Sequence, residues 1–203
     1  MKNTTLVILM AAAGLVAQQA VAQESPWLVR VHATHISPAN NSDPVGGIGA
    51  SDRLSVENKT IPEIDISYFI TPNIAAELVL TYPQIMNVSL DGANIGSFKA
   101  LPPTLSMQYH FAPTGQFDPY LGAGVNYTNI SSVNLLNGAA GLDHNSVGLS
   151  LQAGVDYKLD KNWSLNLDVK KIQIRSDVMI GGAKASAVQL DPLLVGLGVG
   201  YRY

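Results

Sequence analysis

The chain has 203 residues, 12 basic against 15 acidic, a net charge of −3, and no cysteine. These numbers exclude disulfides, thiolate metal sites and a cysteine nucleophile, and they leave no basic footprint for nucleic acid. Charged residues are 13% of the chain while hydrophobic ones are an ordinary 47%, so charge is about half the share usual for a soluble domain.

The first element is a targeting segment over residues 1–22. Lys2 precedes an apolar run from Leu6 to Ala17, and Ala20-Val21-Ala22 puts small residues where a signal peptidase reads them. The run is too short for a spanning helix, which needs roughly 20 apolar residues, so it is read as a cleaved signal peptide. Removing Lys2 leaves 11 basic against 15 acidic residues over 23–203, one domain of net charge −4. A secreted chain so short of charge needs another way to place its apolar surface.

From Trp27 onward the chain alternates with period two. Punctuation divides it into eight strands near 27–37, 54–70, 74–90, 97–111, 119–133, 147–158, 163–179 and 188–203, with ends uncertain by a few residues. In the fourth, "LPPTLSMQYHF", Leu105, Met107, Tyr109 and Phe111 oppose Thr104, Ser106, Gln108 and His110. The sixth, "VGLSLQAGVDY", sets Val147, Leu149, Leu151, Ala153, Val155 and Tyr157 against Gly148, Ser150, Gln152, Gly154 and Asp156. No helix could use this pattern. In the seventh strand the apolar set shifts from Leu165, Leu167 and Val169 to Ile172 and Ile174, which predicts a bulge near Lys170. The eighth, "LLVGLGVGYRY", carries Gly196, Gly198 and Gly200 on one face, opposite Val195, Leu197, Val199, Tyr201 and Tyr203. Glycines inside a strand are not a phosphate-binding loop, which needs a strand-to-helix turn. They trim an inward face, as Gly122 and Gly124 do in the fifth strand. A last strand ending on an aromatic residue is also what the outer-membrane assembly machinery reads.

Short connectors at 71–73, 112–118 and 159–162 interleave with longer ones at 38–53, 91–96, 134–146 and 180–187. All short turns and both termini then fall at one end, the layout of an outer-membrane barrel. Of 14 Trp, Tyr and Phe residues, 11 sit near that end: Trp27, Tyr68, Phe69, Tyr109, Phe111, Phe117, Tyr120, Tyr157, Trp163, Tyr201 and Tyr203. That is a girdle at the water–lipid boundary. Lipid offers no hydrogen bonds, so β structure spans it only as a closed barrel. The expectation is an all-β, eight-stranded antiparallel transmembrane β-barrel, with short periplasmic turns and longer extracellular loops, in the outer membrane of a Gram-negative bacterium. Eight strands leave an interior largely filled by side chains or holding a narrow path.

The motifs "LPPTLSMQYHF", "PYLGAGVNYT", "AGVDYKLDKNW" and "LDPLLVGLGVGYRY" resemble, in order across 23–203, the OmpW family of small outer-membrane proteins, which includes AlkL-type proteins. The resemblance implies a barrel that passes small hydrophobic molecules across or into the outer membrane, with lipid, such solutes and the assembly machinery as partners.

Parity points Arg30, His32, Glu63, Asp65, Glu77, Val79, His110, Asn126, Gln152, Asp156, Lys158, Asp168, Lys170 and Arg202 inward. Paired charges there would rigidify the barrel, since unpaired buried charges are costly. Arg30, His32, Glu77, Asp156, Lys158 and Arg202 are the candidate polar network. A path implied by the family would draw its wall from Val79 and, toward the loops, Leu54, Val56, Ile85, Met86, Val88, Leu135 and Leu136. Pro83 cannot donate to a ladder, so it marks either a lateral opening to lipid or a harmless bend. Lys170 stands where related chains tend to carry lumen aromatics, and could admit an anionic head group.

Catalysis is not indicated: the histidines are His32, His35, His110 and His144, and inward His110 and Ser106 lie about 13 Å apart along a strand. His32 and His35 face opposite sides, so no metal site follows from them, and no cofactor is expected. The rival reading is a structural or adhesive barrel with a sealed interior, acting through its extracellular loops. Soluble carriage, as in a lipocalin, is a third.

Overall fold

The computed structural model describes residues 25–203, so the expected signal segment at 1–22 lies outside the described residues. The first part of the chain forms β1 (Trp27–Ser37), β2 (Asn41–Ser42), β3 (Leu54–Val56), β4 (Lys59–Phe69), β5 (Ile74–Leu80), β6 (Gln84–Leu90), β7 (Ala93–Leu101) and β8 (Thr104–His110). The second part forms β9 (Phe117–Leu135), β10 (Ala140–Leu142), β11 (Asn145–Lys158), β12 (Trp163–Ile172), β13 (Arg175–Ile180), β14 (Ala183–Gln189) and β15 (Leu193–Arg202).

Eight of these strands close a ring in the order β1-β4-β5-β8-β9-β11-β12-β15, every pairing antiparallel, with β15 returning to β1. No sheet edge is left in the spanning ring, as lipid requires. Outward residues along it, among them Val31, Leu78, Leu105, Leu121, Leu151, Leu167 and Leu197, are exposed apolar side chains, which suits hydrocarbon. Ring pairs on adjacent or neighbouring positions mark the periplasmic rim: Trp27 with Tyr68, Tyr109 with Phe111, Phe117 with Tyr157, and Trp163 with Tyr201. Two residues expected in that girdle are not in it. Phe69 and Tyr120 are buried in the lumen against His110, because their strand parity is inward.

The remaining strands build a collar above the ring, ordered β3-β6-β7-β9-β10-β13-β14-β2. The long strand β9 is shared by both. The collar's ends, β2 and β3, are joined by side chains rather than by a ladder. Asn40 Nδ2 donates to Val56 O at 3.1 Å and Asn40 Oδ1 accepts from Val56 N at 2.8 Å, mimicking a strand partner. Asp52 Oδ1 accepts from Ser42 N at 2.9 Å.

The long strands expected at 54–70, 74–90, 97–111, 163–179 and 188–203 are thus each two strands, one in the ring and one in the collar. Prolines cause three of the breaks, at Pro83, Pro102-Pro103 and Pro192, since each lacks a donor for the ladder. Two of the expected long loops are hairpin turns. Asp91-Gly92 joins β6 to β7 and Gly181-Gly182 joins β13 to β14, both with positive φ, the conformation that right-twisted hairpins favour. Only 38–53 and 134–146 remain open. The bulge expected near Lys170 is absent: β12 alternates without a slip from Trp163 to Ile172. What changes there is the character of the inward residues, not their direction.

Candidate functional site

That change of character recurs around the barrel at one level. Going from periplasm outward, inward Thr34 gives way to Ile36, Glu63 to Ile61, Thr128 to Ile130, Lys170 to Ile172 and Gly196 to Leu194. The interior is therefore two layers, a polar floor and an apolar chamber.

The floor is a continuous hydrogen-bonded network. Arg30 grips Asp156 with both arms of its fork, Nε to Oδ1 at 3.0 Å and Nη2 to Oδ2 at 2.5 Å. Its Nη1 donates to Glu77 Oε2 and Ser67 Oγ, each at 3.0 Å. Lys170 Nζ sits among Asp168 at 2.8 Å, Glu63 at 2.9 Å and Asp65 at 3.2 Å. Gln152 ties the two cations' partners together, donating to Glu77 at 2.8 Å and Asp168 at 2.9 Å. Tyr120 Oη donates to Asp168 Oδ2 at 2.8 Å. His32 Nε2 and Asn166 Oδ1 are 2.8 Å apart, and His110 Nδ1 lies 2.9 Å from Asp118. Arg30 and Glu77 are wholly buried, so the network is closed off from bulk solvent. Inward glycines make this possible. A Cβ on Gly198 would lie 2.3 Å from the His32 ring, and one on Gly154 would lie 2.4 Å from Tyr120. Two groups, His32–Glu63–Asp65 and His110–Asp118–Asp156, gather metal-ligand atoms within 4.8 Å of one another. Each is already committed to an internal cation, Lys170 or Arg30.

Above the floor lie two adjoining apolar cavities of about 50 Å³ each. Ile36, Ile61, Gln84, Met86, Ile172 and Leu194 are among the walls of the lower one. Leu54, Val88, Leu135, Leu142, Val178 and Val188 are among those of the upper. Val56, Phe98, Ile130 and Leu190 border both and form the constriction between them.

The lower cavity abuts a seam in the wall. The β4–β5 ladder ends at Ile64 opposite Leu80, and pairing resumes only at Val56 opposite Val88 on β3 and β6. Between them, lips 57–63 and 81–87 share one backbone bond, Glu57 N to Asn87 O at 3.3 Å. Inward Val56 and Ile61 are an odd number of positions apart, as are inward Val79 and Gln84, so each lip flips face once. Pro62 and Pro83 remove two donors as well. Side chains span the gap instead: Thr81 Oγ1 donates to Pro62 O at 2.9 Å, Lys59 Nζ to Ile85 O at 2.8 Å, and Asn87 Nδ2 to Glu57 Oε1 at 2.8 Å.

A closed eight-stranded ring of this kind is not peculiar to this chain. Its sequence matches the OmpW family over residues 23–203. The chain belongs to the OmpW family. Among relatives, it is 44% identical over 186 residues to the uncharacterized outer-membrane protein y4mB of Sinorhizobium fredii, covering 88% of this chain and 80% of that one. It is 31% identical over 215 residues to outer membrane protein W of Escherichia coli, covering all of both. The fold is that of the outer membrane protein OprG of Pseudomonas aeruginosa, with a TM-score of 0.77 at 24% identity, over 89% of this chain and 97% of that one. It is accordingly a barrel of the Gram-negative outer membrane, set in lipid, and not an enzyme.

Within this OmpW-family barrel the sequence-derived candidates divide by layer. Leu54, Val56, Met86, Val88, Leu135 and Leu136 line the apolar cavities. Ile85 does not: it is 50% exposed on the outer face, one position out of phase with Gln84 and Met86. Val79 is buried at the level of Asp65 and Thr104, below the chamber. Pro83 lies on the outer side of the seam lip. Lys170, offered as a path residue, is 1% exposed and enclosed by three carboxylates, so it belongs to the floor. Arg30, His32, Glu77 and Asp156 lie in the floor. Lys158 and Arg202 sit nearer the periplasmic mouth, where Lys158 Nζ bonds the Pro113 carbonyl and Arg202 lies over the Phe69 ring, 4.2 Å from its centroid. Sequence reasoning missed Ile61, Phe98, Ile130, Ile172 and Leu194 as chamber walls. Their signal was present, as apolar residues on the inward parity of strands whose lower inward positions are polar.

Proposed function

We propose that this barrel takes small hydrophobic molecules from the cell exterior through its apolar chamber and releases them into the membrane at the β4–β6 seam. The observation that carries this reading is the pairing of a buried polar floor with an apolar chamber beside an interruption of the wall where ring meets collar. A solute that dissolves in the chamber meets buried, paired charges below, which it could displace only by leaving them unpaired in a buried site. The seam offers it hydrocarbon sideways. Each cavity is small, so passage needs the wall to yield, and Met86 and Phe98 are placed to do so: methionine re-packs readily, and the collar carries register shifts at Val88/Ser89 and next to Phe98.

The family resemblance supports the same solute class. The sealed floor also suits a structural or adhesive barrel, but such a barrel has no use for an apolar chamber opening on a seam. The test is uptake of a radiolabelled long-chain alkane by cells with and without the protein. Faster uptake with the protein is the expected result; equal rates, with a correctly folded barrel in the membrane, would return the sealed reading.

A further inference from the structure

We propose that the lower chamber is a site for an apolar molecule carrying one hydrogen-bond donor, a long-chain primary alcohol in its simplest form, and that Gln84 reads the hydroxyl. This rests on the passage reading and narrows its solute class.

Gln84 opens β6 on the lip of the seam and is 2% exposed. Apart from Thr128, every other wall residue of the lower cavity is apolar. Thr128 is already engaged, its Oγ1 donating to Asn126 Oδ1 at 2.7 Å. Gln84 Nε2 donates to the Tyr82 carbonyl at 3.1 Å. That bond fixes the carboxamide, because the flipped form would set two carbonyl oxygens against each other. Oε1 is left buried with no hydrogen-bond partner. Such an orphan acceptor keeps the full cost of its lost hydration. In a chamber for hydrocarbon alone, methionine or leucine would fill the same space without that cost. Gln84 Oε1 can only accept, so its partner must donate. A hydroxyl or N–H qualifies, whereas a carboxylate, ester or ketone presents oxygen to oxygen. Polar sites of this kind discriminate strongly in favour of the ligand that satisfies them. With its hydroxyl on Gln84 at the seam, an alkyl chain would lie against Ile36, Ile172 and Leu194.

The test compares protein-dependent uptake of 1-dodecanol and n-dodecane, each measured above cells lacking the protein, for wild type and Gln84→Met. The alcohol-to-alkane ratio should be about fivefold higher in wild type than in Gln84→Met, the worth of one neutral hydrogen bond. A second readout needs no variant: in the purified wild-type barrel, the Gln84 side-chain amide resonance should move on adding dodecanol and not on adding dodecane. Equal ratios in the two proteins, or a resonance indifferent to dodecanol, would overturn the proposal and assign Oε1 to a water. If neither solute's uptake depends on the protein, the passage reading falls, and the resonance still decides whether the alcohol site exists.

Discussion

Arg30 organises the floor because four hydrogen bonds converge on its wholly buried guanidinium. Removing one partner of a buried ion pair leaves the others charged and unmatched, at a cost of about 3–5 kcal/mol. Arg30→Met should therefore destabilise the barrel by that order in urea unfolding from lipid vesicles, while Lys161→Met in an exposed turn should stay within about 0.5 kcal/mol. Equal effects would mean that the floor's charges are solvated. The inward direction of Arg30, Glu77 and Asp156 was legible from alternation alone. Their pairing was not, because partners such as Arg30 and Asp156 are brought together by ring closure and not by any local spacing. Gly198 and Gly154 illustrate the same divide. Their strand parity was plain, but only the neighbouring strand shows that one seats His32 and the other Tyr120.

Strands gave the clearest signal, and their interruptions the poorest. Period two located every member of the spanning ring, yet it ran on through the collar, because ring and collar strands share composition and differ only in a break of two or three residues. The hairpin turn Asp91-Gly92 reads as an open loop in the sequence for the same reason, although its residues favour positive φ. That turn carries its own clamp. Arg53 Nε donates to Asp91 Oδ1 at 2.9 Å, and its guanidinium holds the Asp91 carboxyl below the usual carboxylate range. The contact therefore stabilises the hairpin tip at neutral pH, is fully present above the ordinary Asp value of about 3.9, and is lost as pH falls through the lowered one. Carboxyl NMR should show Asp91 titrating low in the wild type and near the ordinary value in Arg53→Ala; an unchanged midpoint would mean the clamp does not form. The seam is the interruption to which the proposed function gives weight. Pro83 announced a break in the sequence. That the break faces Pro62 across a wall flipped on both lips required the register.

The molecule as a whole stacks a closed ring, sealed inside by polar residues, beneath a collar that encloses apolar space. The ring serves the membrane, since its outward face is apolar and its rim aromatic. On the proposed reading, the collar and seam serve the solute. Because the sequence has no cysteine, the seam can be bridged without interference. Lys59→Cys and Ile85→Cys place one thiol on each lip, at the two residues joined by the Lys59 ammonium. Alkane uptake measured with these thiols joined through two disulfides by a short bis-methanethiosulfonate reagent, and again after reduction, tests the lateral route most directly. The account predicts that bridging abolishes the protein-dependent uptake and that reduction restores it. Uptake that continues undiminished through a bridged seam would contradict it.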